Sequence, residues 1–157
     1  MATIRIPLAI QTGDASGNTY PTRYDASPHI YVVPAFAKDV AGYWYGVMRV
    51  PLDYSSTPKI IMAIGANATS GVSRLAVSSY AIADTESYDS TYTTETAQDI
   101  TVPATAYLRK DVTFSLTSTI AAGDDLIFRL DHEGAHVNDT LAVDTLLFNA
   151  VFEYATA

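Results

Sequence analysis

The chain has 157 residues and no cysteine, so one domain is expected and no disulfide staples it. Nine basic residues against 17 acidic ones give a net charge of -8, which argues against nucleic acid as a partner, since that needs clustered positive charge. No stretch approaches the roughly 18 apolar residues that span a bilayer, and Met1–Pro7 lacks the layout of a secretory signal, so neither a membrane partner nor a leader is expected.

From the N-terminus, Ile4, Ile6, Leu8 and Ile10 alternate with Thr3, Arg5, Pro7 and Ala9, a period of two that predicts a strand. Pro7 has no N–H to donate, which confines that strand to an edge or an arm. Residues 13–18 are turn chemistry, and Pro21, Pro28 and Pro34 punctuate an extended stretch with one short strand predicted over 29–33. Residues 1–40 therefore read as an extended N-terminal arm or edge segment, and residues 41–157 as the domain body. The arm's apolar and aromatic content (Ile4, Ile6, Leu8, Ile10, Tyr31, Val33 and Phe36) has two outlets. It joins a neighbouring subunit, or it completes its own sheet.

The body alternates throughout. Trp44, Gly46, Met48 and Val50 share a face that Pro51 ends; Ile60, Met62 and Ile64 share the next; Leu75 and Val77 follow the Thr69-Ser70-Gly71 turn. Residues 83–99 break this rhythm. They are acidic and rich in Ser, Thr and Tyr, with no core aliphatic between Ile82 and Ile100, so they read as a solvated excursion or as a recognition loop built on Tyr88 and Tyr92. Phe114 and Leu116, then Leu126, Phe128 and Leu130, then Phe148 and Phe152 define three closing strands. Turns recur about every 10–14 residues and no period of 3.6 appears, which predicts an all-β sandwich, a jelly-roll of about eight strands.

Chemistry is sparse. His132, Glu133 and His136 match the zinc-protease pattern H-E-x-x-H, which needs a helix to put both histidines on one face. Here a strand runs directly into the motif, Gly134 sits at its centre, and no third ligand follows, so a polar inter-strand loop is expected. There is no nucleophile elbow, phosphate loop or dinucleotide fingerprint, and Asp124-Asp125 occupies a turn. No enzyme, no catalytic residue, no metal and no cofactor are expected. The two glycosylation sequons, at Asn67 and Asn138, are common chance matches.

Several pieces together carry a resemblance: Ala68-Thr69-Ser70-Gly71 before a strand; Ala121-Ala122-Gly123-Asp124 followed by Leu126, Phe128 and Arg129; then Asp139-Thr140-Leu141, Asp144, Leu146-Leu147 and a strand ending at Tyr154. In these, residues 44–154 resemble the small jelly-roll-like β-sandwich proteins of the virion-structure modules of tailed phages. The resemblance implies a virion protein of the capsid cement or decoration type. Such a protein is a homo-oligomer, with a trimer favoured, that binds the major capsid protein or other virion proteins. The alternative is a receptor-binding or carbohydrate-binding domain of a tail fibre or spike, working through Tyr88, Tyr92 or a neighbouring loop. A concave aromatic platform flanked by polar groups would mark that alternative.

Overall fold

The computed structural model describes residues 1–26 and 29–157, with side chains described for 1–22 and 32–157. Tyr31 and Pro28 lie outside the described side chains. Among the described residues the chain is all β: β1 (Thr3–Pro7), β2 (Thr12–Gly13), β3 (Thr19–Ala26), β4 (His29–Phe36), β5 (Ala41–Arg49), β6 (Tyr54–Gly65), β7 (Val72–Ile82), β8 (Thr93–Thr94), β9 (Gln98–Thr101), β10 (Lys110–Ser115), β11 (Asp125–Glu133) and β12 (Thr145–Thr156). They form two antiparallel sheets packed as a sandwich. Sheet A runs β10-β6-β12-β4-β3, with β1 also paired to β12; sheet B runs β2-β5-β11-β7-β8, with β9 also paired to β7. The strand count exceeds eight because the edges are broken into short pieces, of which β2 and β8 are two residues each.

Alternation decides what lies between the sheets. Ile60, Met62 and Ile64 of β6, Phe114 of β10 and Phe152 of β12 meet Leu75 and Val77 of β7 and Leu126, Phe128 and Leu130 of β11 in one buried cluster. Trp44 belongs to it and donates its indole N–H to the Ala35 carbonyl, 3.1 Å away, which satisfies the one polar atom its ring carries inward. Leu116 is buried as expected. Two expected core residues depart from the pattern. Met48 is only half-buried against the cluster, and Phe148 packs half-buried on a smaller one with Val33, Ala35 and Leu146. A register shift between Leu147 and Asn149 explains Phe148, because a bulge breaks the strict in-out alternation.

The first forty residues are woven into both sheets. β1 pairs with β12 from Thr3 against Ala155 to Pro7 against Val151, so Pro7 sits at the end of an edge strand, where its missing donor costs no ladder bond. The Leu8 amide then bonds the Ala150 carbonyl of sheet A (2.8 Å) and the Gln11 amide bonds the Tyr45 carbonyl of sheet B (2.8 Å), so residues 8–11 cross from one sheet to the other. That crossing is tight. A methyl group at Gly46 would lie 2.3 Å from Phe128 Cζ and 2.5 Å from the Ala9 carbonyl oxygen, so only glycine fits there. Leu8 and Phe36 are buried in the main core, Val33 in the smaller cluster, and Ile4, Ile6 and Ile10 pack half-buried against the core. Ile4, Ile6, Leu8, Ile10, Val33 and Phe36 are thus covered, wholly or in part, by their own domain, whereas Val32 is 67% exposed.

Candidate functional site

The outer face of sheet B is where polar and aromatic chemistry collects. Pairing of β5 with β11 sets Tyr45 opposite Arg129 and Tyr43 opposite Asp131; pairing of β7 with β11 sets Ser78 opposite Arg129 and Tyr80 opposite Ile127. These are the alternate positions to Trp44, Phe128 and Val77, so burying the core face turns them outward. The Arg129 guanidinium lies 4.4 Å from the centre of the Tyr43 ring and 5.0 Å from that of Tyr92. Both are within cation–π range. Its Nε donates to Asp131 Oδ1 at 2.6 Å, and Ser78 Oγ donates to Asp131 Oδ2 at 2.6 Å. Since the Ser78 proton is committed to Asp131, the Thr94 hydroxyl at 2.9 Å is the donor to Ser78. Burial pushes the Asp131 carboxyl up, against the pull of Arg129 and Ser78.

This packed layer anchors residues 83–97. Tyr92 meets Tyr80 edge-on with ring centres 4.8 Å apart, and β8 joins the margin of β7 through Ser78 and Ser79. The Tyr80 hydroxyl donates to the Tyr88 carbonyl at 3.0 Å. Tyr88 itself faces out. Its side chain is among the exposed apolar ones, at 61% exposure, and its hydroxyl donates to Asp125 Oδ2 at 2.6 Å. Arg49 Nη1 holds the other Asp125 oxygen at 3.1 Å. The Tyr88 hydroxyl first, and Arg49 second, keep the Asp125 carboxyl below the usual carboxylate range. Tyr88 is therefore an exposed ring tied at both its main chain and its hydroxyl.

Beside it lies a cleft of about 290 Å3 lined by Arg49, Ile82, Ala83, Asp84, Thr85, Glu86, Tyr88 and Asp125. The wall over 83–86 is a tight turn: the Ala83 amide donates to Glu86 Oε2 at 2.9 Å, and Thr85 takes a positive φ of 71°. A second cleft of similar volume, between β10 and the segment before β9, is lined by Glu95, Thr96, Gln98, Thr113, Phe114 and Ser115. Two of its polar side chains, Glu95 and Gln98, are spent on the fold. Glu95 Oε1 accepts the Thr117 amide at 2.6 Å, and the Gln98 amide donates to the Thr113 carbonyl at 2.8 Å.

Tyr88 and Tyr92, the two loop residues singled out from sequence, thus take different parts. Tyr88 borders a cleft, whereas Tyr92 is half-buried over Arg129 and holds the loop down. Arg49, Tyr43, Tyr80 and Arg129 went unremarked as site residues, and Asp125, set aside with Asp124 as a turn residue, instead begins β11, paired with Arg49. The available signal was alternation, which already turns Tyr43 and Tyr45 away from Trp44, and Arg129 away from Phe128.

The H-E-x-x-H residues lie at the far end of β11. His132 is on the strand and fully buried, Glu133 ends it, and His136 is exposed in the following turn. The helix that would bring both imidazoles together does not form. His132 Nε2 instead contacts Asp139 Oδ2 at 3.0 Å, Glu133 Oε2 accepts from Arg74 Nε at 2.7 Å, and the Asp139 carboxylate also accepts the Arg74 amide at 2.7 Å. Burial holds the His132 pKa below its usual value, although Asp139 opposes that. Among the described residues no three His, Asp or Glu side chains cluster as metal ligands.

No protein-family model matches the sequence, and no curated protein matches it. Solved structures do. A family 35 carbohydrate binding module from Clostridium thermocellum superposes with a TM-score of 0.54 at 11% identity, over 99% of this chain and 100% of that one. The C-terminal family 6 module of LamC from Zobellia galactanivorans gives 0.47 at 12% identity over 98% and 100%, and TmCBM27, a module studied for specific mannan recognition, gives 0.45 at 9% over 99% and 100%. At such identity the first of these likenesses is one of architecture, and it places the chain among β-sandwiches of the shape that carbohydrate-binding modules adopt.

Proposed function

We propose that the chain is a non-catalytic glycan-binding domain whose ligand rests on Tyr88 in the cleft formed by Arg49, residues 82–86 and Asp125. One observation carries this reading: an exposed aromatic ring, fixed by its own hydroxyl bond to Asp125, stands beside a polar-rimmed cleft. The C–H face of a pyranose packs on an aromatic ring, and its hydroxyls need acceptors and donors set around that ring. Asp84, Glu86 and Asp125 supply acceptors and Arg49 supplies donors. The fold shared with the Clostridium thermocellum module supports the reading at the level of architecture.

Binding without hydrolysis fits the state of Asp125. A glycosidase acid needs a raised pKa, and the Tyr88 hydroxyl and Arg49 move Asp125 the other way. The phage resemblance supplies a setting, a receptor-binding domain of a tail fibre or spike carried on the virion. The capsid-cement reading rests on the same resemblance; of the arm residues that offered one contact to a neighbouring subunit, Leu8, Val33 and Phe36 are buried inside this domain's own sandwich.

The test is titration of the protein against a panel of plant, bacterial and fungal oligosaccharides, repeated with Tyr88→Ala. At least one saccharide should bind, with a loss on the order of tenfold or more in the variant and an unchanged melting temperature. Binding that ignores Tyr88→Ala overturns the assignment of the site.

A further inference from the structure

We propose that this cleft, taken as the glycan site, selects by charge: it accepts neutral, hydroxyl-rich sugars and rejects uronic, sialic and sulfated ones. The inference rests on the glycan reading above and adds the class of ligand to it. Among the described residues lining the cleft, Asp84, Glu86 and Asp125 face a single cation, Arg49. That cation gives one Nη1 donor to Asp125 Oδ1 at 3.1 Å, which offsets part of its charge and leaves its other N–H groups to meet sugar oxygens, so three carboxylates outweigh it. The next cation on this face, Arg129, is closed to a ligand. It pairs with Asp131 at 2.6 Å and lies against the rings of Tyr43 and Tyr92.

The cleft therefore offers mostly acceptors. An ionised carboxylate accepts and does not donate, so its partner must bring protons. Sugar hydroxyls do. One Asp125 oxygen takes the Tyr88 hydroxyl, and one Glu86 oxygen takes the Ala83 amide, so both groups are held in place and keep acceptor capacity for a ligand. A carboxylate or sulfate on the sugar brings only acceptors and a like charge. It would leave groups on both sides unpaired in the confined space. The net charge of -8 adds a longer-range repulsion that salt screens.

The experiment uses the full chain and matched pairs of β-1,4-linked oligosaccharides of equal length: glucose with glucuronate, mannose with mannuronate, galactose with galacturonate. For whichever backbone binds, the neutral member should bind at least about fivefold more tightly at low salt, and the gap should shrink in about 0.5 M salt. Asp84→Asn should raise uronate affinity relative to the neutral sugar. A uronate that binds as tightly as its neutral match refutes the selectivity and leaves the glycan site standing. If no oligosaccharide of either kind binds, on these pairs or on the wider panel, the glycan reading and its selectivity fall together.

Discussion

On the outer face of sheet A two cations reach in from solvent to one carboxylate that is only 10% exposed. Arg5 of β1 and Lys59 of β6 converge on Glu153 of β12 at 2.7 and 3.3 Å, with the Arg5 side chain 66% exposed. On the outer face of sheet B the corresponding charge is Arg129. It is flanked by two tyrosine rings, bonded to an Asp131 whose side chain is only 5% exposed, and linked through Ser78 to the loop strand β8. Both faces arise from the same in-out alternation. The difference lies in what sits above these two sites: Arg5 stands in water over Glu153, while residues 83–97 close over Arg129. Interactions on sheet A should therefore respond to salt and contribute little, whereas those on sheet B should respond to packing and pH.

The sharpest way to break that contrast is Tyr92→Ala. It removes a half-buried ring that covers Arg129 and meets Tyr80, and a loss of about 2–3 kcal/mol is expected in denaturant unfolding. Glycan binding should fall as well, since the loop that carries Tyr88 loses its anchor. An unfolding curve that superposes on wild type would show that the loop is held by other contacts.

A smaller effect is expected from acid. Burial lowers the His132 pKa, and Asp139 and Asp144 on the neighbouring segment oppose this without reversing it. The unfolded chain then takes up a proton near pH 6.5 that the folded chain refuses until lower pH. Stability contributed by neutral His132 is full above about pH 6.5 and declines as pH falls towards the folded value. Denaturation midpoints measured between pH 8 and 5 should drop on the acid side, and His132→Gln should flatten that slope. An equal slope in the variant would assign the acid sensitivity elsewhere.

The smallest effect belongs to sheet A. Arg5→Ala should change stability by no more than about 1 kcal/mol, and by less still in high salt. A larger, salt-independent loss would mean that β1 depends on this pair for its place beside β12, and the contrast between the two faces would narrow.

Most of the sandwich was legible in the sequence because burying one face of a strand leaves a period of two that single residues display. Ile60, Met62 and Ile64, or Leu126, Phe128 and Leu130, announce their own geometry. Residues 1–40 were harder, since their prolines and short apolar runs fit an arm and an edge equally well. Only the pairing of Thr3 with Ala155 and of Leu146 with Ala35 shows which they form. The same limit hid the site. Tyr88 stood out by composition, but Arg49 and Asp125 are 76 positions apart and meet through the pairing of β5 with β11. Nothing local in either sequence segment records that register. The H-E-x-x-H motif shows the converse: five letters fit a metal site, and the strand that carries the first of them forbids it.

The position of β12 has a consequence in time. It is the hub of sheet A, bonded to β1, β4 and β6, and it occupies the last stretch of this sequence. A ribosome delivers β5, β7 and β11, the body of sheet B, before it delivers the strand on which sheet A is assembled. Until Thr145–Thr156 emerges, the row Ile60, Met62 and Ile64 has no central neighbour, and β1 waits for a partner made after all the strands between them. Long-range closure of this kind is slow and leaves apolar strands open while it waits. The nascent chain is thus most prone to association in the interval between Glu133 and Thr156, and a stop anywhere in that interval yields half a sandwich with its inner face uncovered.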